Sequence, residues 1–112
     1  MATTDREPLD PEVERMVRRI AERFDPERII LFGSRATGNA RPDSDVDLLV
    51  ILPVEGSCRA KAVEIGVALA DRTVPLDLIV VTPEQFERGR ERFGSVLQAV
   101  AREGRVVHER AA

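Results

Sequence analysis

The sequence predicts an α/β fold, termed α+β in some classifications, in which a mixed β-sheet of three to four strands packs with helices. Short, almost wholly apolar runs at residues 29–32, 46–52 and 76–81 indicate strands that are covered on both faces. Around these runs, apolar residues recur at spacings of three and four, which is typical of amphipathic helices. We expect residues 1–8 to be disordered and residues 9–110 to form a single domain.

Prolines and capping residues set the boundaries of the elements. Asp10-Pro11 has the chemistry of a helix start, and Asp25-Pro26 ends that helix because the residue before proline is pushed out of the helical region. Thr82-Pro83-Glu84-Gln85 is a capping box with proline at the first helical position. We expect Phe86 and Phe93, which follow it, to face the core.

The remaining elements follow in chain order from the same signals. They are a loop with room for one helical turn at 34–44, a helix at about 57–72, a last helix through Val96, Leu97, Val100 and Ala101 that Gly104 closes, and an edge strand at 106–107. The helix at 57–72 is long enough to be a crossover connection between two parallel strands. The first and second strands, joined by the loop, are expected to pair as antiparallel neighbours.

Composition excludes several classes of protein. The 112 residues carry 17 basic and 20 acidic side chains, a net charge of -3, and 43% hydrophobic residues, which suits one globular core. The lone Cys58 rules out an internal disulfide and is expected to be a small packing residue. No apolar stretch approaches a membrane span or a signal peptide, so we expect a cytoplasmic protein without membrane contact. Tyr and Trp are absent, which disfavours nucleic-acid binding by base stacking.

Three aspartates lie at the starts of otherwise apolar strands: Asp45, Asp47 and Asp77. Side chains two residues apart on a strand share a face, and parallel strands begin at the same end of a sheet, so all three should lie together. Carboxylates about 6 Å apart repel by roughly 3 kcal/mol per pair at an effective dielectric of 20, so the cluster needs cations. Oxygen ligands without a neighbouring His or Cys predict two Mg²⁺ ions, with Mn²⁺ as the alternative.

The turn after the first strand faces the same end of the sheet. Gly33 lets the backbone approach an anion, Ser34 adds a hydroxyl and an amide, and Arg35 supplies positive charge. A phosphate donor and two metal ions could be assembled there. Such a site favours in-line phosphoryl or nucleotidyl transfer.

Three segments of the chain together resemble the minimal nucleotidyltransferase (MNT) family of the polymerase-beta-like nucleotidyltransferase superfamily. They are Leu31-Phe32-Gly33-Ser34-Arg35-Ala36-Thr37-Gly38, Ser44-Asp45-Val46-Asp47-Leu48, and Asp77 between apolar residues. The family signature is Gly-Ser, a gap of about ten residues, and Asp-x-Asp, and the gap from Arg35 to Ser44 has that length. Thr37 stands where the family often has Arg, with Arg35 and Arg41 near enough to compensate.

The resemblance implies a function and a role for each residue of the motif. Gly33 and Ser34 would hold the triphosphate of ATP, Asp45 and Asp47 would bind the metal ions, and Asp77 would ligate the catalytic metal and help to deprotonate the acceptor. Family members commonly act as antitoxins that move AMP from ATP to a tyrosine of a HEPN-type RNase toxin. This chain has no Tyr, so the acceptor is expected on that partner.

Other interpretations remain open at this level. The chain could mask a HEPN-type toxin without catalysis, or it could transfer a nucleotide to RNA or to a small-molecule hydroxyl. Homo-oligomerisation is equally open. His108, the only histidine, is expected to be an exposed residue of an edge strand and not a general base.

Overall fold

A computed structural model describes residues 9–37 and 44–110, and the predictions for residues 1–8 and Arg41 lie outside these ranges. The described elements are α1 (Pro11–Phe24), β1 (Arg28–Phe32), α2 (Ser34–Thr37), β2 (Val46–Ile51), α3 (Cys58–Ala68), β3 (Leu76–Val81), α4 (Pro83–Arg90), α5 (Val96–Glu103) and β4 (Arg105–Glu109). The strands form one sheet in the order β3-β2-β1-β4. β2 pairs with β3 in parallel, and β1 pairs with β2 and β4 in antiparallel fashion. The predicted mixed sheet and its strand directions are confirmed.

Helices cover both faces of the sheet, because apolar side chains point alternately to one face and to the other along its strands. One core cluster joins α1 and α3 to strand residues such as Leu31, Leu48 and Val50. The other joins α4 and α5 to Ile30, Leu49 and other residues of the opposite face. Alternation along β2 therefore places its odd-numbered residues, among them Asp47, on the face of α4 and α5.

The helix boundaries follow the predicted caps. The Asp10 carboxylate accepts from the Glu12 N–H at 2.9 Å. At α4, the Thr82 hydroxyl accepts from the Gln85 N–H at 3.1 Å while the Gln85 side chain accepts from the Thr82 N–H at 3.0 Å. The helix α3 is shorter than predicted, since it ends at Ala68 and gives way to turns.

Two expectations about burial were wrong. Phe86 is buried on α4, but Phe93 is 92% exposed because α4 ends at Arg90 and Phe93 lies in the turn before α5. His108 lies on the edge strand β4 as predicted, opposite Ile29, but its Nε2 atom is buried without a hydrogen-bond partner. The reason is that β4 borders α1, which covers that side of the strand.

A polar network fastens α1 to the turn that leads into β3. The Glu12 carboxylate accepts from Arg15 at 2.7 and 2.9 Å and from the Thr73 N–H at 2.7 Å. Asp71, in the same turn, pairs with Arg15 at 3.1 Å and with Arg19 at 2.6 Å. The hydrogen bond from Arg15 and the Thr73 amide lower the pKa of Glu12 to about 2. The Glu12 carboxylate therefore stabilises the fold at every pH at which it is ionised.

Among the residues described, no helix has both the length and the apolar character that crossing a bilayer requires.

Glu12→Gln tests this network. A carboxyl group whose pKa is lowered on folding stabilises the folded state above its unfolded pKa, near 4.5, and this contribution is lost as the pH falls towards about 2. We expect the variant to lose about 1 kcal/mol of unfolding free energy at pH 7, a value discounted for partial exposure. Urea unfolding between pH 7 and pH 2.5 should show the difference from the wild type shrinking.

The control is Glu14→Gln on the same helix, whose exposed carboxylate lies 3.9 Å from Arg18. It should be nearly neutral throughout the pH range. A loss in Glu12→Gln that stays constant down to pH 2.5 would contradict the proposed charge dependence.

Candidate active site

Two of the predicted site residues meet across neighbouring strands. Asp47 of β2 and Asp77 of β3 are direct partners in the parallel register. Their carboxyl groups lie within hydrogen-bonding reach of each other on the face of α4 and α5. Asp77 is exposed, whereas Asp47 is half-buried. The structure thus brings together two carboxylates that are 30 residues apart in the sequence.

Asp45, the residue immediately before β2, is the third member of the acidic group. It is exposed and lies two residues from Asp47, so its charge acts on the same carboxyl group. Burial raises the pKa of Asp47, and the hydrogen bond with Asp77 and the charges of Asp77 and Asp45 raise it further. Asp45 and Asp77 therefore both act on Asp47, and we call these three residues the acidic cluster.

The donor chemistry of this cluster fits a divalent cation. All three side chains offer carboxylate oxygens, the ligands that Mg²⁺ and Mn²⁺ prefer. Within residues 9–37 and 44–110, however, no three His, Cys, Asp or Glu side chains converge closely enough to hold an ion. Such sites usually add substrate phosphates to a few protein ligands. A metal site formed by Asp45, Asp47 and Asp77 stays a prediction.

Gly33 brings the end of β1 against the Asp47 carboxylate. Its φ of +76° is in the left-handed region, and a Cβ atom there would collide with the Asp47 Oδ2 atom and lie 3.1 Å from Cγ. The preceding residue, Phe32, is the antiparallel partner of Asp47. The turn at Gly33-Ser34 is therefore next to the acidic cluster, and only glycine fits at its first position.

Arg35 directly follows this turn and makes contacts that its sequence position does not reveal. Its Nε and one terminal nitrogen donate to the Ser44 carbonyl at 3.1 and 2.8 Å, and its other terminal nitrogen is 3.9 Å from the Asp10 carboxylate. The side chain is 8% exposed. Its predicted contact with nucleotide is untested, as is any compensation for Thr37 by Arg41, which lies outside the described residues.

An apolar cleft of about 360 Å³ adjoins the same turn. Its lining residues come from the end of β1 and from α5, and they are Phe32, Gly33, Val96, Ala99, Val100 and Glu103. Val96, one of the apolar residues of α5, is 60% exposed at this cleft. The cleft forms only where α5 packs against β1, so no local signal could have indicated it.

Gly33→Ala, compared with Gly94→Ala, tests the contact with Asp47. Both glycines have nearly the same left-handed backbone, with φ of +76° and +78°, but a Cβ atom at Gly94 would meet nothing within 4 Å. Gly94→Ala should therefore lose about 1 kcal/mol of unfolding free energy from backbone strain alone. Gly33→Ala should lose about 1 to 3 kcal/mol more, because the Asp47 side chain must move. Equal losses in urea unfolding would contradict the close approach.

Comparisons with known proteins agree with this geometry. Residues 13–107 match the family described as Nucleotidyltransferase domain. Curated proteins provide no significant match. Among solved structures, a candidate nucleotidyltransferase from Sulfolobus solfataricus has a TM-score of 0.62 and 20% identity, over 88% of this chain and 78% of that one. A chain of a toxin–antitoxin structure with AMP-PNP has a TM-score of 0.59 and 19% identity, over 90% of this chain and 75% of that one. Both likenesses support the fold, and because the family match spans most of the chain, this protein belongs to the nucleotidyltransferase domain family.

Proposed function

We propose that this protein is a minimal nucleotidyltransferase that moves AMP from ATP to a hydroxyl group of a partner protein. The observation that carries the proposal is the register pairing of Asp47 with Asp77 beside the Gly33 turn. This arrangement combines a cation-binding acidic pair with a backbone turn that an anion can approach. Membership in the nucleotidyltransferase domain family supports the type of reaction.

The acidic residues have separate roles in this proposal. Nucleotidyltransferase domains generally use divalent metal ions, and we assign Asp45 and Asp47 to Mg²⁺, or Mn²⁺, with Asp77 as a further ligand. The bound ions would supply neutralising charge for the phosphate oxygens. Asp77, whose side chain is exposed, would take the proton of the acceptor hydroxyl.

The triphosphate is assigned to Gly33 and Ser34. Without a side chain, Gly33 leaves its exposed backbone accessible beside the acidic cluster, and Ser34 adds a hydroxyl group and an amide. The acceptor oxygen forms a bond to the α-phosphorus of ATP, the bond from that phosphorus to the bridging oxygen breaks, and pyrophosphate leaves. The hydroxyl proton passes to Asp77 and then to solvent.

The acceptor is proposed to be a toxin. This chain has no Tyr, so a tyrosine acceptor must be on another molecule. The fold resembles that of a chain in a toxin–antitoxin structure with AMP-PNP. Together with the resemblance of the Gly-Ser and Asp-x-Asp segments, this supports an antitoxin that modifies a tyrosine of a HEPN-type partner.

A second candidate function is masking of the toxin by binding alone. Thr37 in place of the arginine that the family often carries favours this alternative, because the loop then has less positive charge for a triphosphate. Masking would require the same partner but neither ATP nor a metal ion. Nucleotide transfer therefore depends on the acidic residues, whereas masking does not.

Transfer of labelled AMP tests the proposal. We expect the protein, incubated with ATP labelled at the α-phosphate, Mg²⁺ and the product of the adjacent gene, to label that product. Asp77→Asn, or Asp45→Asn with Asp47→Asn, should lower the rate about 100-fold or more, and EDTA should abolish labelling. The matched control is Glu55→Gln, which removes an exposed carboxylate beyond the opposite end of β2.

Absence of labelling, or labelling that survives the aspartate substitutions, would overturn the proposed transfer. Neutralisation of the toxin that persists in the double variant without labelling would support masking. Label found on RNA, or on a small molecule, would show that a different acceptor is used.

A further inference from the structure

We infer that Arg35 is a positioning residue that holds the chain in front of Asp45, and that it is not a ligand of the triphosphate. The inference rests on the proposed function for the meaning of Asp45, but its structural part stands independently. The Gly-Ser-Arg sequence alone suggests a cation aimed at phosphate. The contacts of Arg35 lead to a different role.

The guanidinium group binds the chain from two directions. Its Nε and a terminal nitrogen both donate to the Ser44 carbonyl, at 3.1 and 2.8 Å. The other terminal nitrogen lies 3.9 Å from the Asp10 carboxylate, which also caps α1. Arg35 therefore connects α2 with the first turn of α1 and with the residue before Asp45.

These contacts fix Asp45 from its N-terminal side. The Ser44 carbonyl belongs to the planar peptide group that ends at the Asp45 nitrogen, so holding its oxygen orients that nitrogen and the α-carbon. On the other side, the Val46 N–H donates to the Pro75 carbonyl at 2.9 Å, where the parallel pairing with β3 begins. Asp45 is thus the single residue between two held peptide groups.

The burial of Arg35 argues against contact with a nucleotide. Its side chain is 8% exposed, so little of the guanidinium surface can reach an incoming phosphate. The planar fork also explains why arginine is needed, since an ammonium group on lysine cannot present two donors in that fixed geometry. If Arg35 acted by charge alone, lysine would replace it well.

Arg35→Lys and Arg35→Gln separate the two roles. If Arg35 holds the Ser44 carbonyl, both variants should speed hydrogen exchange of the Val46 amide about tenfold relative to the Leu49 amide in the middle of β2. Both should also weaken Mn²⁺ binding and lower kcat, while the KM for ATP stays within about twofold. If Arg35 binds the triphosphate, Arg35→Lys should resemble the wild type and Arg35→Gln should raise the KM for ATP, which would overturn the inference.

Two further variants provide a control and an alternative test. Arg88→Lys changes an exposed arginine of α4 and should leave Val46 exchange unchanged. Asp10→Asn preserves a good helix cap but removes the charge that faces Arg35, so it should speed Val46 exchange in the same direction and by less. This variant serves if the Arg35 variants do not fold. If the wild type transfers no nucleotide, the proposed function fails, and the exchange rate of Val46 still decides whether Arg35 holds this segment.

Discussion

The parallel pairing of β2 with β3 is the constraint on which the rest of the structure depends. It sets Asp47 directly against Asp77, and burial together with the neighbouring charges raises the pKa of Asp47. With both carboxylates ionised this contact is unfavourable, so other interactions must maintain the register. A slip of one residue would turn Asp47 towards the α1 and α3 core and expose the apolar side chains beside it. The buried residues Val46 and Leu48, which are fully inaccessible, therefore hold the carboxylate in place.

The first turn of α1 anchors both strands that carry the carboxylates. Glu12 accepts from the Thr73 amide, just before β3, and Asp10 faces Arg35, which in turn holds Ser44 just before β2. Each strand thus enters the sheet through a polar contact with the same helix end. Since polar contacts of this kind have defined directions, they set the positions of side chains at the end of the sheet more closely than apolar packing can. The helix α1 contributes no carboxylate to the acidic cluster, yet its first turn contacts the segment before β3 and, through Arg35, the segment before β2.

Most of the fold could be predicted because its signals are local. The cap at Asp10, the box at Thr82 and the apolar run that became β3 each depend on a few neighbouring residues, and the structure has all three where the sequence placed them. The contact of Asp47 with Asp77 could also be predicted, because a crossover helix makes the two strands parallel. The expectation that Phe93 faces the core was wrong, because its exposure depends on where α4 ends, and periodicity does not define that point. The contacts of Arg35 with residues before and after it in the chain could not be predicted from a motif alone.

The same electrostatics explains why an acidic site can serve an anionic substrate. Without cations, Asp45, Asp47 and Asp77 repel one another and would also repel the phosphates of ATP. A divalent cation reverses both effects, since it attracts the carboxylates and the phosphate oxygens to the same point. Binding of metal and nucleotide should therefore be positively coupled, and each should stabilise the folded chain in the presence of the other. In the proposed function, the affinity for nucleotide would depend on the ion, and this dependence would distinguish a metal-assisted transferase from a surface that only binds a partner.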